Sequence, residues 1–180
     1  MSGFLAGKDR GDHICSINEL FYSAVTRRQS RILFLMDTAK AFDSIDHDWV
    51  HQILQVWFPS WFRHFVKGTL HGVKVAPFFG GDLTDWIDIL RGVKQGCPLS
   101  PLLFIIAYEP LLFKLSRMEG FSPYAFADDL ALFVDSMSTI APALSLISVF
   151  SVVSGLGFNK EKSVALPTAG PLSALPFASS

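Results

Sequence analysis

Tyr124-Ala-Phe-Ala127-Asp128-Asp129-Leu130-Ala-Leu-Phe-Val134 places two short apolar runs on either side of a single pair of aspartates. Runs of this length and composition around a two-residue polar tip predict a β-hairpin. The tip itself is unusual. Two-residue hairpin turns favour Asn-Gly or Asp-Gly, because both positions need positive φ. Two neighbouring carboxylates repel each other, and between apolar strands an uncompensated charge is costly. A solvated turn is the plain reading of the pair. The sharper reading is that a divalent cation cancels the charge, and magnesium, a hard ion that takes carboxylate oxygens, suits it.

Working outward, residues 32–36 form a continuous apolar run that ends on Asp37, as a buried strand would. A strand-ending aspartate is ordinary by itself. Three acids from two separate segments are what an in-line displacement between two metal ions requires. Around these strands the helical signals are clear. Asp12 is a candidate N-cap for a helix carrying Ile14, Ile17, Phe21, Ala24 and Val25. Val50, Ile53, Leu54 and Trp57 form a stripe stopped by Pro59, and a short helix is expected from Ser60 to an end at Gly68. Residues 73–79 and 83–90, joined through Gly80-Gly81, predict a second hairpin. A glycine-containing loop, residues 91–96, enters an apolar helix near Pro98. A long apolar helix follows over about 138–154 with serines 145, 148, 151 and 154 as its polar stripe, and a last strand is expected through 163–166. The order of elements predicts an α+β fold, with helices packed on one face of an antiparallel sheet, in one domain over 1–166 and a disordered tail over 167–180.

Composition limits what such a domain can be. Half of the 180 residues are apolar and 17% are charged, which excludes disorder as a whole-chain reading. The net charge of −1 runs against a nucleic-acid partner, since phosphate binding usually draws on a basic excess. Cys15 and Cys97 are the only cysteines and form no CxxC pair. No disulfide framework is expected, and an intracellular chain follows, with the nucleus open to it. No secretory signal is legible near Met1, and the apolar stretches near 99–113 and 140–153 are too short for a bilayer.

Four segments then carry a family likeness. Phe34-Leu-Met-Asp37-Thr-Ala-Lys-Ala-Phe42-Asp-Ser-Ile-Asp46-His resembles motif A of reverse transcriptases. Arg91-Gly-Val-Lys-Gln95-Gly96-Cys-Pro98-Leu-Ser100-Pro101 resembles motif B, Tyr124-Ala-Phe-Ala-Asp128-Asp129 motif C, and Gly155-Leu-Gly157-Phe-Asn159-Lys-Glu-Lys162-Ser motif D. The stretch Gly3-Phe-Leu-Ala-Gly-Lys is similar to the segment before motif A in non-LTR, LINE-type retrotransposon enzymes. The resemblance implies a polymerase palm with incomplete fingers and no thumb, as a fragment of a longer polyprotein that also carries an endonuclease. It implies RNA-directed DNA synthesis with two Mg²⁺ or Mn²⁺ ions, an RNA template, a DNA primer and deoxynucleoside triphosphates, and no membrane. Asp37, Asp128 and Asp129 would hold the metal. Phe42 would exclude a ribose 2′-hydroxyl, Gln95 and Gly96 would border the incoming nucleotide, and Lys162 would approach the phosphates. On the residues alone Phe42 reads as core and Lys162 as a solvated lysine at a strand edge.

Two rival readings remain at this stage. One is a palm-like remnant that folds without chemistry. The other, remote, is a zinc metallopeptidase through His47 and His51, whose spacing imitates the H-E-x-x-H helix but lacks its glutamate.

Overall fold

A computed structural model describes residues 10–126, 128–136 and 140–169. Four strands form the central sheet: β1 (Ile32–Thr38), β6 (Phe121–Phe126), β7 (Asp129–Val134) and β8 (Phe158–Pro167). Their order is β6-β7-β1-β8, with every pairing antiparallel. Pro123 is tolerated in β6 because that strand lies at the edge, where a missing N–H leaves no central ladder bond unmade.

Alternation divides the sheet into two faces. Ile32, Phe34 and Met36 of β1, with Leu130, Leu132 and Val134 of β7, enter the main core. There they meet the stripes of α3 (His47–Trp57), α4 (Ser60–Leu70), α5 (Ser100–Ser116) and α6 (Ile140–Ser154). The expected α+β palm-type architecture, helices against one face of an antiparallel sheet, is therefore present. One helix lies apart. Ile17, Leu20 and Phe21 of α1 (Arg10–Thr26) cover Leu33, Ala131 and Phe133 on the opposite face.

Several boundaries differ from expectation for local reasons. Asp12 lies inside α1 rather than capping it. The capping role falls to Asp46, whose carboxylate accepts from the N–H groups of Asp48 (2.9 Å) and Trp49 (3.2 Å) at the start of α3. Helix α4 runs through Gly68, because Val66 and Leu70 are buried on either side of it. The serine stripe of α6 is its solvent side only in part: Ser145 and Ser148 are exposed, but Ser154 is fully buried and donates to the Phe150 carbonyl, and Val149 and Val152 are exposed as well. Strand β8 begins earlier and ends later than the 163–166 expected. Thr168, placed by sequence in the tail, is buried and joins Arg31 through the bond from its own N–H to the Arg31 carbonyl (2.9 Å). Residues 170–180 of the expected tail, Ala127, residues 137–139 and the stretch from Gly3 to Lys8 lie outside the described residues.

The 73–90 hairpin is the least regular part. It forms two separate two-residue pairings, β2 (Lys74–Val75) with β5 (Ile87–Asp88) and β3 (Phe78–Phe79) with β4 (Asp82–Leu83).

Candidate active site

Strand parity brings two of the three aspartates together. Asp37 has the parity of Leu33 and Leu35, and Asp129 that of Ala131 and Phe133, so both side chains leave the sheet on the face opposite the main helical core. The register makes Asp37 and Asp129 direct Cα partners at the end of the β1–β7 ladder. Asp128 belongs to the turn beside them, and Thr38 ties it to β1: the Thr38 N–H (3.3 Å) and hydroxyl (2.6 Å) both donate to the Asp128 carbonyl. Like charges directly opposite each other on antiparallel strands are destabilising. One compensating charge is close, with Lys162 Nζ lying 3.7 Å from Asp37 Oδ2.

Lys162 reaches Asp37 because β8 is irregular here. Leu35 pairs with Val164 but Asp37 pairs with Asn159, so residues 160–163 bulge from the ladder. Asn159 shapes the bulge: its side-chain oxygen accepts from the N–H groups of Glu161 (3.1 Å) and Lys162 (3.3 Å), and its carbonyl accepts from the Ser163 hydroxyl (2.6 Å).

The other candidate residues sit on a second pair of segments. Phe42 follows β1 within α2 (Ala41–Ser44) and stacks on fully buried Phe104, with ring centroids 5.1 Å apart and planes 29° apart. The loop after residue 90 closes on it. Gly92 N–H donates to the Ile45 carbonyl and Val93 N–H to the Phe42 carbonyl, both at 2.7 Å. A Cβ at Gly92 would lie 2.8 Å from the Asp43 carbonyl oxygen, and its φ of 84° is left-handed, so only glycine allows this approach. Gln95 Nε2 then donates to Asp43 Oδ1 at 3.2 Å. Gln95 is exposed, as is Gly96, which adopts φ 83° in the same loop. Asp43 and Gln95 line a cleft of about 700 Å³ beside the hairpin, and none of Asp37, Asp128 and Lys162 lines it. Gln95, held by Asp43, and the aspartates therefore do not meet in this cleft.

Beneath the aspartates is Tyr108 of α5, fully buried and stacked on Phe104. Burial drives its phenol far above the usual range, and the charges of Asp128 and Asp129 add to that. The nearby Thr38 side chain opposes that shift, and the Tyr108 oxygen has no hydrogen-bond partner among the described residues. Thr38, Asp43, Phe104, Tyr108 and Asn159 escape a reading of the sequence as functional positions. Adjacency to Asp37 and Phe42 could have singled out Thr38 and Asp43, and the motif D likeness Asn159; nothing in the sequence signals Phe104 and Tyr108.

The zinc-like spacing in α3 dissolves in three dimensions. His47 is buried with Nε2 2.7 Å from the Gly92 carbonyl, whereas His51 Nε2 faces His71 Nε2 at 2.7 Å. Both rings pack against His71 but their nitrogens bond to different partners, and no group among the described residues is arranged to hold a metal, which leaves the metallopeptidase reading without a site.

The donor set fits magnesium by its chemistry. No group of three or more His, Cys, Asp or Glu side chains among the described residues is arranged to hold a metal. Magnesium needs fewer, since one or two carboxylates with substrate phosphates commonly hold it.

An antiparallel palm sheet with paired acids at the end of its central strands defines a class, the palm-type nucleotidyl polymerases. The profile described as "Reverse transcriptase (RNA-dependent DNA polymerase)" matches residues 2–173, and the chain belongs to that family. Its sequence is of the non-LTR retrotransposon kind. It is 32% identical over 161 residues to the retrovirus-related Pol polyprotein from type-1 retrotransposable element R2 of Popillia japonica, covering 80% of this chain and 22% of that one. It is 29% identical over 168 residues to the corresponding polyprotein from type-2 retrotransposable element R2DM of Drosophila melanogaster, covering 89% and 16%. The chain spans less than a quarter of the length of either relative. Among solved structures, telomerase from Candida tropicalis in complex with a fragment of telomeric RNA superposes with a TM-score of 0.72 at 12% identity, over 89% of this chain and 30% of that one. That likeness concerns the fold. No helix among the described residues is long and apolar enough to cross a membrane.

Proposed function

We propose that this chain is the palm portion of a retrotransposon polyprotein that copies an RNA template into DNA, adding deoxynucleotides to the 3′-hydroxyl of a DNA primer. The register that sets Asp37 opposite Asp129, with Asp128 tied to Thr38, is the observation that carries the reading. Asp37, Asp128 and Asp129 would hold two Mg²⁺ or Mn²⁺ ions. When bound, these supply Lewis acidity to the attacking hydroxyl and the departing pyrophosphate. Lys162, which lies beside Asp37, would neutralise phosphate charge and donate a proton to the leaving group. Phe42, fixed from behind by Phe104, presents a ring where a 2′-hydroxyl would clash. Gln95, oriented by Asp43, and Gly96 border the incoming nucleotide. Fingers, thumb and endonuclease segments would come from the rest of the polyprotein.

The test is primer extension on an RNA template by the whole polyprotein. Asp37→Asn is expected to abolish incorporation. Phe42→Ala is expected to raise the ratio of ribonucleotide to deoxynucleotide incorporation while deoxynucleotide use stays within about tenfold, or about 1.4 kcal/mol. Undiminished extension by Asp37→Asn contradicts the catalytic reading. An unchanged sugar ratio in Phe42→Ala returns Phe42 to a packing role.

A further inference from the structure

Of the two histidines with zinc-like spacing, His47 is turned inward and holds the loop that carries Gln95. It is the first residue of α3 and only 6% exposed. Its Nε2 lies 2.7 Å from the Gly92 carbonyl. A carbonyl can only accept, so Nε2 carries the proton and donates it. The ring packs against that of His71, with centroids 5.8 Å apart and planes at 61°, which restricts its rotation.

The bond fixes one particular peptide plane. The Gly92–Val93 unit has its carbonyl held by His47 and its N–H held by the Phe42 carbonyl, both at 2.7 Å. Gly92 is buried, and a buried acceptor stripped of its donor is costly. The loop could relieve that cost only by turning the peptide toward water, and the turn would also break the bond to Phe42. His47 therefore ties the residue proposed to select the sugar to the loop proposed to border the nucleotide.

A second buried side chain holds the loop farther along. The Ser100 hydroxyl donates to the Lys94 carbonyl at 2.6 Å, and Ser100 is 4% exposed. Gln95 and Gly96, just beyond, are exposed. The Gln95 amide has its own bond to Asp43 Oδ1, but that bond is exposed and, at 3.2 Å, long. The backbone beneath Gln95 is thus placed by His47 and Ser100, and of these two only His47 joins it to Phe42.

We propose that His47 is a positioning residue for the incoming nucleotide: by holding the Gly92–Val93 peptide, it sets the loop from which Gln95 meets that nucleotide. This role rests on the reading of Gln95 as a residue that borders the nucleotide. His47 itself touches neither nucleotide nor metal.

Steady-state primer extension by the whole polyprotein, with one deoxynucleotide varied, reads the role as a split between KM and kcat. His47→Asn keeps a polar amide but is too short for the Gly92 carbonyl. It is expected to raise KM about tenfold with kcat within about threefold, the pattern of lost binding rather than lost chemistry. His47→Leu, which fills the buried space without a donor, is expected to do the same. His47→Gln can place an amide N–H near the position of the imidazole Nε2, and is expected to restore KM to within about threefold of the parent. Gln95→Ala is expected to raise KM by itself, and adding His47→Asn to it should raise KM no further, because both act at one contact. His51→Ala is expected to leave both constants as in the parent.

Four results would overturn this role. The first is a parent-like KM in both His47→Asn and His47→Leu. The second is a KM in His47→Gln as high as in His47→Asn, which would make the packing of the ring responsible rather than its donor. The third is a double variant in which the two rises in KM multiply. The fourth is an equal rise in His51→Ala, which would assign the effect to the imidazoles as a packed group. A parent-like KM in Gln95→Ala would instead sink the nucleotide-bordering reading itself, and this role with it.

Discussion

The end of the β1–β7 ladder and the 73–90 hairpin treat charge and apolar surface in opposite ways. At the ladder end, carboxylates gather above a core whose Leu130, Leu132, Phe133 and Tyr108 are at most 1% exposed. In the hairpin the charges are scattered, and Phe78, Phe79, Leu83, Trp86 and Leu90 are each at least 67% exposed. The first region is held by bonds between segments far apart in sequence: Thr38 to Asp128, Ala39 N–H to the Gly157 carbonyl (2.8 Å), and Asp46 N–H to the Ser154 carbonyl (2.8 Å). The second rests on its own two-residue pairings, and isolated two-stranded ribbons are marginal in water. The contrast teaches that the site is rigid through long-range closure, while the hairpin depends on what covers it.

Glycines break this comparison most sharply. Gly155, at φ 75°, would set a Cβ against the Ser44 carbonyl oxygen at an impossible distance, so Gly155→Ala must strain the backbone and also push α2 away. The expected loss is about 3 kcal/mol in urea denaturation. Gly80, at φ 64° in the hairpin tip, has nothing within 4 Å of its Cβ position. Gly80→Ala should lose only the left-handed penalty, about 1 kcal/mol. Equal losses at the two positions would mean that the ladder end is no more tightly closed than the hairpin.

A smaller effect sharpens the account of the ladder end. Tyr108 has a proton affinity raised in the folded state, so folding is favoured fully below the ordinary phenol value near 10 and progressively lost as pH rises above it. Tyr108→Phe removes a buried hydroxyl without a partner and is expected to leave stability at pH 7 unchanged or raised by about 1 kcal/mol. It should also flatten the alkaline limb of the stability profile. An alkaline limb as steep as the parent's would show that another group titrates there.

Much of this contrast was legible in the sequence where patterns are local. The strands bearing Asp37 and the Asp128–Asp129 pair are short apolar runs bounded by polar residues, which marks them as strands, whereas their parity is set by which face the helices cover. The family likeness in four motifs carried the palm assignment. What escaped is non-local. Charged residues 160–162 hid the early start of β8, because the bulge that accommodates them depends on Asn159 and on pairing with β1. The meeting of His51 with His71 joins residues 20 apart, and that of Gln95 with Asp43 joins residues 52 apart. The hairpin was expected as two long strands, since its apolar content is high, yet it has no core of its own to hold that register.

The central claim is that the aspartates at the ladder end are a metal site, and the most direct measurement is the Tm of the chain with and without Mn²⁺, for the parent and for Asp128→Asn. A ligand that binds only the folded state raises Tm. The account predicts a rise in the parent, its disappearance in Asp128→Asn, and a metal-free variant that melts no lower than the parent because one like-charge repulsion is gone. A metal-induced rise in Asp128→Asn equal to that of the parent would contradict it.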